Sequence, residues 1–394
     1  MDPRPDGRLQ ALDGLRFLAA AGILLFHHGA PLLTGAPAWA ERLRAGGYAW
    51  VSLFYVLSGF VLARSHPAPL GAEGRRAFWV GRLARLYPAY LLAFVLAAPF
   101  ALERWTTGGP FASAKAAAVA GASLLLVQAW FPPIARLWNA PGWSTSVVLT
   151  FSIAFPFAAA RLSRLRRRGL WLAFGGAWAL CLAPPLLWLA LRPDGLVADP
   201  LWHEPTWLLA LKFHPLARAG EFLAGVVLGL LHARGLSLRR GAALAGPLAL
   251  AGVAALLAWD GAPFVLVHNG LLAPLFAIAL LALAAGGGPL ARVLSSRPAR
   301  ALGDASFALY VLQEPLWLWA RRISGVDGPP SPALVVAWVA ASVAIALGVA
   351  QWLERPARRA LRALATRGTR SAPAGAMPAP AVPSAPRGSA PPLR

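Results

Sequence analysis

Leu12 to His28 reads LDGLRFLAAAGILLFHH, an apolar run with a cation near its start and a histidine pair at its end. Its length suits one crossing of a bilayer, which takes about 17–25 apolar residues. Arg16 and His27 stand eleven residues apart. At about 100° and 1.5 Å per residue, that spacing brings them within roughly 20° of one helix face, some 16 Å apart along the axis. Ionisable groups inside a membrane helix are costly and by default mark a working pathway. The plainer reading makes Arg16 a cytoplasmic-interface anchor and His27 a tolerated residue near the opposite interface.

The composition extends the membrane reading to the whole chain. Of 394 residues, 58% are hydrophobic and only 13% charged, and the mean hydropathy is +0.58. This describes a polytopic helical membrane protein with no room for a large soluble domain. The formal charge of +22 is almost all arginine, since Lys115 and Lys212 are the only lysines. The arginines fall between apolar runs, as membrane topology requires, so nucleic-acid binding is not expected. Cys181 lies alone in an apolar run and is a small buried hydrophobe rather than half of an internal disulfide. The first apolar run is too long for a cleavable signal peptide and lacks a small-residue cleavage site, so it is expected to remain as the first span.

Charge bias sets the expected topology. Residues 1–11, with Arg4 and Arg8, are cytoplasmic, and the first span runs from about 14 to 33. Tyr48 to Arg64 returns inward to a basic loop holding Arg75, Arg76, Arg82 and Arg85, and a third span covers about 86–102. The run 116–131 is short and followed by Pro132, Pro133 and Pro141. If it spanned, the cluster Arg161, Arg164, Arg166, Arg167 and Arg168 would lie outside, so a re-entrant segment is expected there. Every later loop then falls into place. The acidic loop 193–216 and Trp259-Asp260 are outer, whereas Arg234, Arg239 and Arg240, then Arg292, Arg297 and Arg300, are inner; only Arg321 and Arg322 run against the bias. The expected fold is an all-α bundle of about ten transmembrane helices with one re-entrant segment and both termini cytoplasmic. The domain is expected over 12–355; residues 356–394 are basic and then Pro/Ala-rich, reading as disordered from about 366.

Several stretches carry polar groups suited to chemistry. A histidine in the outer half of a span is a candidate base, because burial favours the neutral imidazole; His28, turned about 100° from His27, is structural. In GRLARLYPAY, Arg82 and Arg85 share a helix face and can present paired forks to phosphates, or simply bind anionic lipid. Ser58-Gly59 in FYVLSGF permits close helix packing. In NAPGWSTS, Trp143 is a candidate interfacial anchor and Ser144 a candidate hydrogen-bond donor to an acceptor or oxyanion. Glu221, one turn after Arg218, is either half of a neutral ion pair or a carboxylate that orients His27 or binds substrate hydroxyls. Tyr310 and Gln313 in LGDASFALYVLQEP share a helix face and are candidates to line a cavity.

Taken in order, these stretches resemble the membrane-bound acyltransferase 3 family over residues 12–353. The family's signatures are an Arg or Lys followed after ten residues by His, an Arg-x-x-Arg before an aromatic and a proline, an Asn-x-Pro-x-Trp-Ser, a Glu-Phe-Leu-x-Gly, and a Leu-Gly-x-x-Ser-aromatic-x-x-Tyr. This chain departs from the family at Val148, where a glutamate is usual, and at Gln313, where a histidine is common. The resemblance implies an integral-membrane O-acyltransferase of the bacterial inner membrane. Its donor would be acyl-coenzyme A, with acetyl expected, held by Arg82 and Arg85 at the cytoplasmic face. Arg16 would guide the coenzyme or stabilise thioester charge, and His27 would act as base. Trp143, Ser144, Glu221 and Tyr310 would meet the acceptor, a hydroxyl of a cell-surface glycan, glycolipid or other extracytoplasmic molecule. No metal is implied. The alternatives are a transporter of a small polar or acylated molecule, or an inactive relative.

Overall fold

The computed structural model describes residues 9–370 apart from 107–111, Ala198, Arg239 and Asp327. The N-terminal Arg4 and Arg8, the inner-loop Arg239 and the Pro/Ala-rich stretch 371–394 therefore lie outside the described residues. Runs rich in Ala and Leu, with strong helix propensity and few internal breakers, give helices throughout, and no strand occurs among the described residues. In chain order they are α1 (Gln10–His28), α2 (Ala38–Ala45), α3 (Trp50–Ser65), α4 (Ala72–Thr106), α5 (Ala112–Leu124), α6 (Gly142–Leu162), α7 (Arg167–Leu191) and α8 (Thr206–Phe213). Then follow α9 (Ala219–Ala233), α10 (Ala242–Ala258), α11 (Phe264–His268), α12 (Ala273–Ala284), α13 (Gly288–Leu294), α14 (Arg297–Ser324), α15 (Pro332–Val349) and α16 (Arg355–Arg370).

Among the described residues, six helical segments are long and apolar enough to cross a membrane: Ala38–Ser65, Ala72–Trp105, Gly142–Leu162, Arg167–Leu191, Phe264–Ala284 and Pro332–Leu361. Helices α9 and α10 are apolar but shorter. Helices α1 and α14 interrupt their apolar runs with Asp13, Arg16, Asp304, Gln313 and Glu314, and they pack against each other. These ten match, in order, the ten spans expected from the sequence. Helix α16 continues to Arg370, past the point near 366 where disorder was expected, because Arg-Ala-Leu repeats are good helix formers.

Glycines set the closest approaches. A Cβ at Gly14 would collide with the Leu294 backbone and one at Gly303 with the Asp13 carbonyl, so α1 rests directly on α13 and the start of α14. Gly59, Gly225 and Gly229 do the same between α3 and α9, in the manner of small-residue contacts between membrane helices. The blocking atoms there are backbone, which cannot swing aside. Gly225→Ala is expected to cost about 1–3 kcal/mol, measured as a lower denaturation midpoint in detergent, with Gly121→Ala, whose added methyl meets open space, as control.

The segment after α4 does not cross. Helix α5 has 13 residues, too few to span, and stops where Leu126 takes a left-handed φ of 57°. The Tyr90 hydroxyl donates to the Ser123 carbonyl (2.7 Å) and the Tyr87 hydroxyl to that of Leu124 (3.0 Å). Those tyrosines lie midway along α4, so α5 turns back beside the middle of that helix. The Gln128 amide donates to the Tyr90 hydroxyl (3.1 Å) and to the Gly142 carbonyl (3.0 Å). Backbone groups exposed by the turn are thus satisfied within the protein, the condition for irregular chain inside a membrane bundle. Two short turns climb back until Trp138 stacks on Phe94 at 4.6 Å, and α6 begins. The expected re-entrant segment is this α5 hairpin. With it in place, Arg234 donates to the carbonyls of Ser163 and Leu165, so the arginine cluster after α6 sits at the same end of the bundle as the end of α9.

Candidate functional site

The approach of α1 to α14 determines the site. Their facing stripes carry Arg16 and His27 on one side and Ser306, Tyr310 and Gln313 on the other, and the α5 hairpin delivers Trp143 and Ser144 opposite Tyr310. Two cavities result. One, of about 110 Å³, is lined by Arg16, Arg82, Arg85, Ser144, Val148 and Tyr310 among others. The second, of about 90 Å³, lies further along α1 and is lined by residues including His27, Arg136, Trp143, Glu204, Lys212, His268 and again Tyr310. Tyr310 and Val51 form part of both walls.

The first cavity is basic. Arg16 pairs with Asp13 at 2.8 Å, Arg82 donates from Nε to the Ser152 hydroxyl at 3.0 Å, and Arg85 makes no hydrogen bond among the described residues. No carboxylate lines this cavity. Val148, where the family resemblance implied a glutamate, is in its wall, so that position adds no carboxylate to the cavity. Ser144 donates to the Tyr310 hydroxyl at 2.7 Å and lines this cavity only.

The second cavity holds the histidine. His27 Nδ1 lies 3.3 Å from the Gln313 amide oxygen, while the Gln313 amide nitrogen donates to the Tyr310 carbonyl at 3.0 Å. That second bond orients the amide, so Nδ1 carries the proton and Nε2 is left with its lone pair. An amide cannot titrate, but here it performs the orienting task. His28 packs against the rings of Trp317 and Trp338 and lies 3.7 Å from Glu314, a structural setting as expected. On the rim, Glu204 receives Arg136 and, at 2.8 Å, Lys212; burial lowers the Lys212 pKa while Glu204 opposes the shift.

Other candidates stand differently from expectation. Trp143 is not an interfacial anchor: it is buried against Phe213, with ring centroids 4.8 Å apart. Glu221 lines neither cavity. Both its oxygens receive the Arg218 fork, at 2.9 and 3.1 Å, and it makes no contact with His27. The sequence reading passed over His268, Arg136 and Tyr55, the last lining the arginine cavity with a buried hydroxyl that has no hydrogen-bond partner. A polar residue within an otherwise apolar span was the one available signal for His268.

A family model described as an acyltransferase domain matches residues 9–354. The chain belongs to this acyltransferase family. Among relatives, Acyltransferase MdmB of Streptomyces mycarofaciens is 30% identical over 235 residues, covering 57% of each chain. Protein 2 in picA locus of Rhizobium radiobacter is 37% identical over 112 residues, 28% of this chain and 54% of its own. A Staphylococcus aureus protein provisionally named an O-acetyltransferase is 30% identical over 91 residues, 22% of this chain and 13% of that one. The chain spans little more than half the length of the first two relatives and far less of the third. No solved structure matches significantly. The family match extends from α1 to the end of α15, so both cavities fall inside the acyltransferase domain.

Proposed function

We propose that this membrane protein is an O-acyltransferase that moves an acyl group, acetyl by preference, from acyl-coenzyme A to a hydroxyl of a glycan, glycolipid or other acceptor on the far side of the bacterial inner membrane. The observation that carries this reading is Tyr310, whose side chain stands in the walls of both an arginine-lined cavity and a histidine-bearing one. Arg16, Arg82 and Arg85 give the donor an entrance at the cytoplasmic end, with the phosphates along the basic rim because the cavity itself is small. His27, Trp143 and the Arg136-Glu204-Lys212 rim give the acceptor an entrance at the opposite end. The two substrates meet beside Tyr310 and Ser144.

The chemistry balances without a metal or redox partner. His27 Nε2 accepts the hydroxyl proton, the oxygen attacks the thioester carbon, the C–S bond breaks, and the thiolate takes the proton from His27. Tyr310, whose hydroxyl accepts the Ser144 proton, keeps its own proton to donate to the oxyanion that forms, held before the reaction rather than reorganised during it.

The test is thioester consumption by the purified protein in detergent, with glycolipid extract from lysed cells as acceptor. Consumption that requires the acceptor, together with thermal stabilisation by coenzyme A, is the expected result. A transporter would consume no thioester and gain no stability from coenzyme A, and that outcome would overturn the proposal. The orientation carries its own prediction: a reporter enzyme fused after Arg168 reads as cytoplasmic, and a periplasmic signal would reverse the assignment of donor and acceptor ends.

A further inference from the structure

The second cavity contains two imidazoles, and their neighbours prepare them oppositely. The segment 264–284 is not one helix: α11 ends at His268, Gly270 takes a φ of 87°, and α12 starts at Ala273. The break frees the His268 carbonyl from helical pairing. Arg218 and the Ser52 hydroxyl (3.3 Å) donate to it. Arg218 is itself buried, at 1% exposure. Its fork grips Glu221, its Nη2 reaches the Ser52 hydroxyl at 3.0 Å, and its Nη1 faces His268 Nδ1 at 2.5 Å. An arginine N–H only donates, so Nδ1 must hold the lone pair and Nε2 the proton. Nδ1 is taken up inside the protein, which leaves Nε2–H as the only ring nitrogen His268 can offer the cavity it lines. The ring lies flat on Tyr48, 5.6 Å between centroids and 22° between planes, so it is held in that pose.

His27 is the reverse case. The Gln313 oxygen keeps its proton on Nδ1 and leaves Nε2 as the acceptor. One cavity thus presents a proton acceptor and a fixed proton donor.

Resting on the acyltransferase reading, we infer that His268 binds an acceptor oxygen other than the one whose proton His27 takes, and so selects which hydroxyl reacts. Trp143, Trp202, Tyr48 and Phe264 provide flat apolar faces, and the Glu204-Lys212 pair provides polar edges. Arg218 is a positioning residue that acts through His268.

Side-chain nitrogen spectra of protein labelled with ¹⁵N-histidine, recorded at neutral pH and assigned with His27→Asn and His268→Asn, test the preparation directly. His268 is expected to be protonated on Nε2 and His27 on Nδ1; a His268 ring protonated on Nδ1, or on both nitrogens, would overturn the inference whether or not turnover is found. The functional arm uses two replacements. Asn at 268 keeps an oxygen near the Nδ1 position for Arg218 but removes the cavity donor; Gln keeps an N–H near the Nε2 position. For His268→Asn, the amount of glycolipid extract giving half-maximal turnover is expected to rise about five- to tenfold, the worth of one neutral hydrogen bond, with half-saturation by acetyl-coenzyme A unchanged. His268→Gln is expected to restore much of the loss. Unchanged acceptor dependence in His268→Asn, or equal losses in both variants, would overturn the acceptor role while leaving the acyltransferase reading intact. A wild-type protein that consumes no thioester would instead overturn that reading, and the spectra would still decide the state of His268.

Discussion

Replacement of His27 by alanine or by asparagine is expected to lower acceptor-dependent thioester consumption by roughly 10²- to 10⁴-fold, the usual worth of a positioned general base. The two replacements separate chemistry from architecture. Alanine removes the base and leaves the Gln313 oxygen, which is buried, without its partner, at a cost to stability of about 1–3 kcal/mol. Asparagine has an amide nitrogen near the position of Nδ1 and can keep that bond, yet it has no basic nitrogen. Equal losses of turnover in both, with a lower melting point only in the alanine variant, are the expected pattern. Coenzyme A is expected to stabilise both variants and the wild type alike, because His27 lies in the other cavity from Arg82 and Arg85. An asparagine variant that retains turnover would show that His27 holds Gln313 in place and takes no proton.

The double replacement Arg82→Ala, Arg85→Ala is expected to weaken coenzyme A binding by roughly 10²- to 10⁴-fold, since each charge-assisted hydrogen bond to a phosphate is worth about 1.5–3 kcal/mol and each 1.4 kcal/mol is tenfold. The effect on folding should be far smaller. Arg82 gives up one bond to the Ser152 hydroxyl, and that hydroxyl still donates to the Val148 carbonyl at 2.7 Å. Arg85 gives up no hydrogen bond. Isothermal titration with coenzyme A, beside thermal unfolding of the same samples, measures the two effects separately. Unchanged affinity would remove these arginines from the donor site and leave them as contacts for anionic lipid. The affinity should also fall with rising salt, as expected of pairing with phosphates near solvent.

The fold was readable because membrane proteins obey few rules. Apolar run length and the placement of arginines marked the ten helices expected to span, six of them long and apolar enough to cross among the described residues, and the cost of exporting Arg161 to Arg168 was enough to mark 116–131 as a segment that turns back. The reason it turns back could not be read: it depends on hydroxyls of Tyr87 and Tyr90 meeting the carbonyls of Ser123 and Leu124, a match between distant positions. The site was half readable. Arg16, His27, Arg82, Arg85, Ser144 and Tyr310 line the two cavities because helical spacing puts them on inward stripes. Glu221 took the ion-pair alternative of its two readings, with Arg218 three residues earlier as its partner. His268 escaped notice because its significance comes from Arg218, fifty residues earlier, and from a helix break at Gly270 that apolar periodicity conceals. Gln313 looked like a lost histidine; its amide orientation, visible only through the Tyr310 carbonyl, gives it a task.

The α5 hairpin also sets a timetable. The end of its returning arm is tied to the rest of the bundle by Asn139, whose amide donates at 3.0 Å to the carbonyl of Val311, a residue 172 positions later in the chain. Ser144 likewise finds Tyr310 only after 166 further residues. At the usual pace of about 5–20 residues per second, a ribosome needs roughly 8–35 seconds to cover that gap. When Ser144 is made only α1 to α5 precede it, so the arginine-lined cavity still lacks the wall that Ser306, Phe307 and Tyr310 later provide. The wall shared by the two cavities is therefore among the last parts of the bundle to be put in place.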